Sequence, residues 1–269
     1  MPVRRAAVLG SPIGHSLSPC LHRAAYAALG LDWTYEAIEL VAGDLGPFLA
    51  ELGSEWVGLS LTMPLKQAVV HRLASASELV RITGAANTVR LTPEGLLGDN
   101  TDVPAIVELV VGLGGFSESV VILGGGATAR SAVAAIADLG ARVVRVVTRK
   151  VDPALLACGR ELDVEIIETS WASAASATAQ AELLISTVPA RIASELGADI
   201  VARGALLDVA YDPWPTWLTA RFQIAGRPVA TGYDLLLAQA AMQVELFTGM
   251  TAPRGAMDIA GRAELARRG

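Results

Sequence analysis

Val120-Val121-Ile122-Leu123-Gly124-Gly125-Gly126-Ala127-Thr128-Ala129-Arg130 is the stretch whose reading decides the fold class. Its first four residues form an unbroken apolar run, the pattern of a strand buried on both faces of a parallel sheet. The glycines permit a tight turn and a close backbone approach to a bound group. Arg130 to Leu139 reads as the helix that follows. Strand, G-x-G-x-x-A turn and helix in this order form a cradle for a pyrophosphate at a helix N-terminus.

The next strand, Arg142 to Val147, runs into Thr148-Arg149-Lys150. An acidic residue at this place holds a ribose hydroxyl in NAD-binding folds. Here two cations stand there, and they favour a 2′-phosphate, hence NADP over NAD. Strands at Val164–Glu168, Leu183–Thr187, Ala205–Val209 and Pro228–Ala230 continue the α/β alternation, with Thr187 at a strand mouth. Ala172 to Ala181 is rich in Ala and Ser and reads as a surface helix or loop.

Toward the N-terminus, Arg5 to Leu9 reads as a first strand closed by Gly10-Ser11-Pro12, and Pro19 to Leu29 as a helix with Ser18 as N-cap. Ser16 has no capping duty in this reading. Two hydroxyls beside helix N–H groups make a small anion site suited to a carboxylate. His15, in the same loop, reads as a surface residue rather than a base. Trp33 to Leu40 alternates like a strand, and Asp44 to Leu52 reads as a helix.

The strand from Trp56 ends near Thr62, because Pro64 has no N–H to give a ladder. Lys66 then stands at the C-terminal mouth, where open α/β sheets hold ligands. The chain has two lysines against nineteen arginines. Lysine, unlike arginine, can release a proton at working pH, so Lys66 reads either as a chemical group or as a solvated helix-start cation. Asn87 reads as a turn residue or as a grip on a diol. Asp102, in Gly98-Asp99-Asn100-Thr101-Asp102, caps the helix Val103–Gly112, as Thr101 also can, or stands as a carboxylate beside Lys66. Near the C-terminus, Asp234 to Thr248 reads as a long helix with Gln239 and Gln243 one turn apart on one face. Arg254 to Arg268 reads as a last amphipathic helix.

The bulk numbers bound the function. At 269 residues with 52% apolar composition, two domains are expected. Net charge is −6 and no long basic block occurs, which argues against nucleic acid or an anionic membrane. No uninterrupted apolar run is long enough to span a bilayer. The N-terminal apolar stretch is too short for a signal peptide. Cys20 and Cys158 have neither metal spacing nor a disulfide framework, so a reducing, cytoplasmic location and no metal are expected.

Taken in order, these motifs resemble the shikimate/quinate dehydrogenase family over almost the whole chain. Ser16-Leu17-Ser18-Pro19 is similar to the family's S-x-S-P loop, and Ser60-Leu61-Thr62-Met63-Pro64-Leu65-Lys66 to its N-V-T-x-P-x-K. Gly84 to Thr88 is similar to G-A-x-N-T, Gly98 to Asp102 to G-x-N-T-D, Thr148-Arg149-Lys150 to the N-R-T clamp, and Asp208 to Pro213 to D-v-x-Y-x-P. Gly232 through Gln239-Ala240 resembles G-x-x-M-L-x-x-Q-A. Ser60, Ala127, Thr148 and Ser186 depart from the pattern, where the family has Asn, Gly, Asn and Asn.

The resemblance implies an α/β protein of two domains. One is a substrate domain with a mainly parallel sheet, residues 1–102, completed by 232–269. The other is a Rossmann-like NADP domain, residues 103–231. It implies NADPH-dependent reduction of 3-dehydroshikimate to shikimate, with Lys66 as the proton donor and Asp102 orienting it and the substrate hydroxyls. Ser16, Ser18 and Tyr211 would take the carboxylate, and Thr62, Asn87 and Gln239 the ring hydroxyls. Gly124, Gly126, Ala127, Thr148, Arg149, Lys150, Thr187 and Gly232 would hold the cofactor. Small molecules alone are the implied partners, of a monomer or homodimer. The rival readings are an NAD-using quinate/shikimate dehydrogenase, which an acidic residue after Arg149 would mark, and a silent NADP sensor, which loss of Lys66 or Asp102 would mark.

Overall fold

The computed structural model describes residues 3–116, 118–196, 200 and 202–268. The chain forms two compact units, Met1–Thr101 with Leu236–Gly269, and Asp102–Leu235.

The first unit contains β1 (Arg4–Gly10), α1 (Ser18–Ala28), β2 (Trp33–Glu39), α2 (Leu45–Ala50), β3 (Trp56–Leu61), α3 (Leu65–Ala68), β4 (Ser75–Ala76), α4 (Glu78–Thr83), β5 (Thr88–Thr92) and β6 (Gly95–Asp99). The second contains α5 (Asp102–Gly112), β7 (Val120–Leu123), α6 (Ala127–Asp138), β8 (Val143–Thr148), α7 (Pro153–Glu161), β9 (Glu165–Ser170), α8 (Ala174–Thr178), β10 (Leu183–Ser186), α9 (Ala190–Ser194), β11 (Ala205–Asp208), α10 (Trp217–Ile224) and β12 (Val229–Ala230). α11 (Gly232–Thr248) carries the chain back to the first unit, which α12 (Arg254–Arg268) completes.

The first sheet has the order β2-β1-β3-β5-β6-β4. β1 pairs in parallel with β2 and β3, whereas β5 runs antiparallel to both β3 and β6. β1 is covered on both faces, so its alternate residues enter two cores. Ala7 and Leu9 pack with Leu45, Leu59 and Val89, while Ala6 and Val8 pack with Tyr26, Tyr35 and Phe247. α1 joins α11 and α12 through Leu21, Ala25, Ala240, Val244 and Met257.

The second sheet has the order β12-β11-β10-β7-β8-β9, every pairing parallel. Read from the other edge, this is the doubly wound order in which the strand sequence reverses between β7 and β10. All residues of β7, β10 and β11 are buried, as expected of strands covered by helices on both faces. α6 is buried from Ala129 to Ile136, and its alanines let it lie close to the sheet. The segment 172–181 carries α8 as the surface helix expected of it: Ala172, Ser173, Ser176 and Gln180 are exposed, while Ala174, Thr178 and Ala181 are buried, the first and last in the core. Small apolar side chains suit such close packing as well as they suit a surface.

His22 of α1 is wholly buried, its ring stacked 3.9 Å from that of Tyr35 and 6.0 Å from Phe247. Burial holds its pKa down to about 3, partly opposed by the hydrogen bond with Gln243. The sign follows: below the ordinary value near 6.5 the unfolded chain binds a proton that the folded one refuses, so stability falls with pH. Between pH 8 and pH 5 this single group costs about 2 kcal/mol. Urea unfolding of the unaltered chain and His22→Gln at both pH values checks it. The substituted chain lacks that share of the loss, and equal losses contradict the buried neutral imidazole.

Candidate functional site

The mouth of β3 is built by short-range backbone bonds. The Thr62 N–H donates to the Leu9 carbonyl at 2.9 Å, and the Leu65 N–H to the Thr62 carbonyl at 2.8 Å, turning the chain into α3. Lys66, half-buried, lies in that first turn, and its carbonyl accepts the Ala86 N–H at 2.8 Å. The backbone of Lys66 is thereby fixed to the loop that carries Asn87.

Asn87 is 2% exposed. Its Oδ1 accepts the Thr101 N–H and the Thr88 hydroxyl, each at 2.8 Å. A backbone N–H only donates, so the orientation of the amide is determined. Its Nδ2 then donates to Thr101 Oγ1 at 2.9 Å and to Gln239 Oε1 at 3.3 Å. Its carbonyl accepts from the Leu61 N–H at 2.7 Å and from Gln243 Nε2 at 3.1 Å. Gln239, itself buried, gives an amide hydrogen to the Leu236 carbonyl at 2.9 Å. Asn100 pins the same loop by donating to Thr83 Oγ1 at 3.1 Å and to the Ala85 carbonyl at 3.0 Å.

The first unit thus brings Asn87 and Gln239 into contact and ties the backbone of Lys66 to their loop. The roles of Asn100, Thr101 and Thr88 escaped sequence reasoning. Of the three, only Thr101 has a reading of its own in the sequence, as an alternative cap; Asn100 and Thr88 stand there only within motifs.

Ser16 and Ser18 exchange the duties assigned to them. α1 begins at Ser18 with Leu17 as its N-cap, and no side chain caps it in the usual manner. The Ser18 N–H donates to Ser16 Oγ at 3.3 Å. Leu17 already has helical angles, φ −91° and ψ −7°, so the hydroxyl that reaches a first-turn N–H is the one further upstream. Ser16 is half-buried and Ser18 buried.

In the second unit Asp102 is the first residue of α5 and 5% exposed. Gly124 has φ +106°, and a Cβ there would lie 2.5 Å from Thr187 Oγ1. Both flank the β7/β10 reversal, since the Thr187 N–H and hydroxyl each donate to the Leu123 carbonyl at 2.8 Å. Gly126 is exposed and precedes α6, whose first turn, beginning at Ala127, has no side-chain cap. A cradle that excludes a Cβ, with an uncapped helix N-terminus behind it, fits a pyrophosphate. Beside it, Thr148 Oγ1 donates to the Lys150 carbonyl at 3.0 Å, which curls the β8 turn and leaves Arg149 and Lys150 exposed.

Tyr211 follows β11 on a loop rooted by Asp208. That carboxylate accepts the Thr216 hydroxyl at 2.6 Å and the Ala210 N–H at 3.3 Å, and burial pushes its pKa up against these bonds. Gly232 is pressed against the base of the same loop: a Cβ there would lie 2.5 Å from the Val209 and Ala210 carbonyls. The structure therefore gives Gly232 a packing duty beside Tyr211. Among the described residues no group of three or more His, Cys, Asp or Glu side chains could hold a metal.

Family models agree with both ends of the chain. The shikimate dehydrogenase substrate binding domain matches residues 8–89, and the shikimate 5′-dehydrogenase C-terminal domain matches residues 232–258. The chain is 33% identical over 267 residues to the shikimate dehydrogenase (NADP(+)) of Microcystis aeruginosa, covering 93% of each.

This chain belongs to the shikimate dehydrogenase family.

The crystal structure of Mycobacterium tuberculosis shikimate dehydrogenase superposes with a TM-score of 0.88 at 43% identity, over 97% of this chain and 99% of that one. Shikimate 5-dehydrogenase from Thermus thermophilus, solved in complex with NADP(H) and shikimate, gives a TM-score of 0.83 at 31% identity, over 97% and 99%.

Substituting Gly232 tests the packing on the Tyr211 loop. Gly232→Ala is expected to lower stability by about 1–3 kcal/mol through steric conflict with two carbonyls. A urea midpoint equal to that of the unaltered chain contradicts the contact.

Proposed function

We propose that this protein is an NADP-dependent shikimate dehydrogenase, an oxidoreductase that reversibly reduces 3-dehydroshikimate to shikimate on the route to chorismate and the aromatic amino acids. Full-length likeness to the Thermus thermophilus enzyme, solved with NADP(H) and shikimate, carries the reading. The free state of Cys20 and Cys158 suits a reducing, cytoplasmic location.

In this reading the first unit, including its returning C-terminal helices, binds the substrate. Ser16 and Ser18 take the carboxylate through hydroxyl and N–H groups, with Tyr211 as a further donor. Asn87 exchanges its long bond to Gln239 for a substrate hydroxyl, and Gln239 and Thr62 hold the others. Lys66 is the general acid. Its ammonium polarises the carbonyl oxygen and donates a proton to it as the carbonyl carbon is reduced. Asp102 supplies the carboxylate that keeps such an ammonium charged and orients the hydroxyls.

The second unit holds the cofactor. Gly124, Gly126 and Ala127 receive the pyrophosphate, Thr187 and Gly232 shape the adjoining loops, and Thr148, Arg149 and Lys150 take the 2′-phosphate. When bound, NADPH supplies the hydride. The residues around it position both partners and exclude water.

Absorbance at the nicotinamide band, with shikimate and then quinate, and with NADP+ and then NAD+, tests the assignment. Shikimate with NADP+ is the expected pair. Preference for quinate with NAD+ selects the quinate-type activity, and no turnover with either selects a silent sensor. Lys66→Ala is expected to lower kcat by about 10²–10⁴-fold with KM little changed. Near-normal turnover removes Lys66 from the chemistry. Arg149→Ala is expected to lower kcat/KM for NADPH by about tenfold while sparing NADH. Equal loss with both cofactors contradicts the 2′-phosphate role.

A further inference from the structure

Gln243 lies one turn beyond Gln239 on α11 and is 1% exposed. The hydrogens around its amide can be assigned from donor and acceptor capacity. Tyr35 donates its hydroxyl hydrogen to Ser60 Oγ at 2.6 Å, and Ser60 donates its own to Gln243 Oε1 at 2.7 Å. An amide oxygen only accepts, so His22 Nε2, 3.3 Å from the same atom, carries the ring hydrogen. On the other side Gln243 Nε2 donates to the Asn87 carbonyl at 3.1 Å and to Thr88 Oγ1 at 3.0 Å. Thr88 passes its own hydrogen to Asn87 Oδ1 at 2.8 Å.

Gln243 thus reaches Asn87 twice, once at the backbone carbonyl and once, through Thr88, at the side-chain oxygen. Both acceptor positions and both hydrogens of its amide are used. The carbonyl of Asn87 keeps a second donor in Leu61, so the loop does not depend on Gln243 for its path. The side-chain amide is held by the Thr101 N–H at 2.8 Å, and the Thr88 hydroxyl adds a second donor to the same oxygen, one that an unanchored hydroxyl would withdraw.

We propose that Gln243 is a positioning residue for the substrate site: with His22, Ser60 and Tyr35 behind it, it directs the Thr88 hydroxyl and so, together with the Thr101 N–H, holds the Asn87 amide toward substrate and Gln239. The inference rests on the reading of Asn87 and Gln239 as substrate-binding residues. It also gives Ser60 a duty, since a hydroxyl there accepts from Tyr35 and donates to Gln243 within one short side chain.

The test uses the full chain and steady-state kinetics with shikimate and NADP+. Gln243→Met fills the same volume without hydrogen bonds. Thr88→Val removes the relay, and with it the 3.4 Å contact of that hydroxyl with Thr101 Oγ1, but leaves Ser60 and His22 paired, so it serves where Gln243→Met fails to fold. Each is expected to raise KM for shikimate by roughly tenfold, the size of one neutral hydrogen bond, with KM for NADP+ within about twofold. Thr88→Ser, which keeps the hydroxyl, is expected to restore the shikimate KM. A merely structural role lowers the active fraction, and so apparent kcat, while leaving both KM values in place. Thr88→Val with an unchanged shikimate KM, or with both KM values raised together, overturns the proposal. An unaltered chain that turns over no shikimate overturns the functional reading and this inference with it. An active unaltered chain with unaffected variants overturns this inference alone.

Discussion

The amide and carbonyl of Asn87 are the constraint on which the first unit's site depends. Through them the start of β5 meets β3 at Leu61, the β6–α5 junction at Thr101, and α11 at Gln239 and Gln243. One residue earlier, the Ala86 N–H meets the carbonyl of Lys66. These are four segments distant in sequence, and none would be held in register by hydrophobic contact alone. Apolar packing is tolerant of small slides, whereas a buried amide with every bond in use is not. The cost of leaving any partner unmet, about 1–3 kcal/mol each, makes the arrangement close to all-or-none.

The second unit solves its problem with backbone rather than side chains. A sheet whose order reverses between β7 and β10 opens a crevice at the strand ends. Gly124 at φ +106° and the nearby Thr187 shape that crevice, and the uncapped start of α6 follows directly after Gly126. Little here is titratable. The exposed cations of the β8 turn, Arg149 and Lys150, are the groups proposed to discriminate between cofactors, and Thr148 curls the turn that presents them.

Legibility in the sequence follows this division. The apolar run Val120–Leu123 and the glycine turn announced the parallel sheet because strand burial and turn geometry are local properties. α12 matched its expected span, Arg254–Arg268, for the same reason. The N-cap of α1 lies at Leu17, one residue before the expected Ser18, because whether Leu17 is already helical depends on how its loop packs, not on Ser18 being a good cap. Segment 172–181 reads as a surface helix or loop and lies at the surface, but which of its alanines turn inward, Ala174 and Ala181, depends on the core beneath them. The polar web was legible only at its ends. Asn87 and Gln239 stood out within motifs, but Gln243 offered nothing beyond its helical spacing from Gln239, and His22 and Tyr35 drew no notice. A hydrogen-bond partner more than 180 residues away, as Gln243 is from Ser60, leaves no periodicity to read.

His22 shows why such a web persists. A buried imidazole held neutral is costly against acid, and its Nδ1 has no hydrogen-bond partner. A phenylalanine would stack on Tyr35 without either penalty. What phenylalanine lacks is the Nε2 hydrogen that helps fix the direction of the Gln243 amide. Reversing that amide would point its oxygen at the Asn87 carbonyl, which only accepts, so Asn87 opposes the wrong state while the Nε2–H tautomer of His22 supports the right one. The imidazole therefore trades acid stability for a single orientation of a group some distance from the proposed chemistry. That trade is reasonable where an amide side chain has to present a particular atom to a ligand.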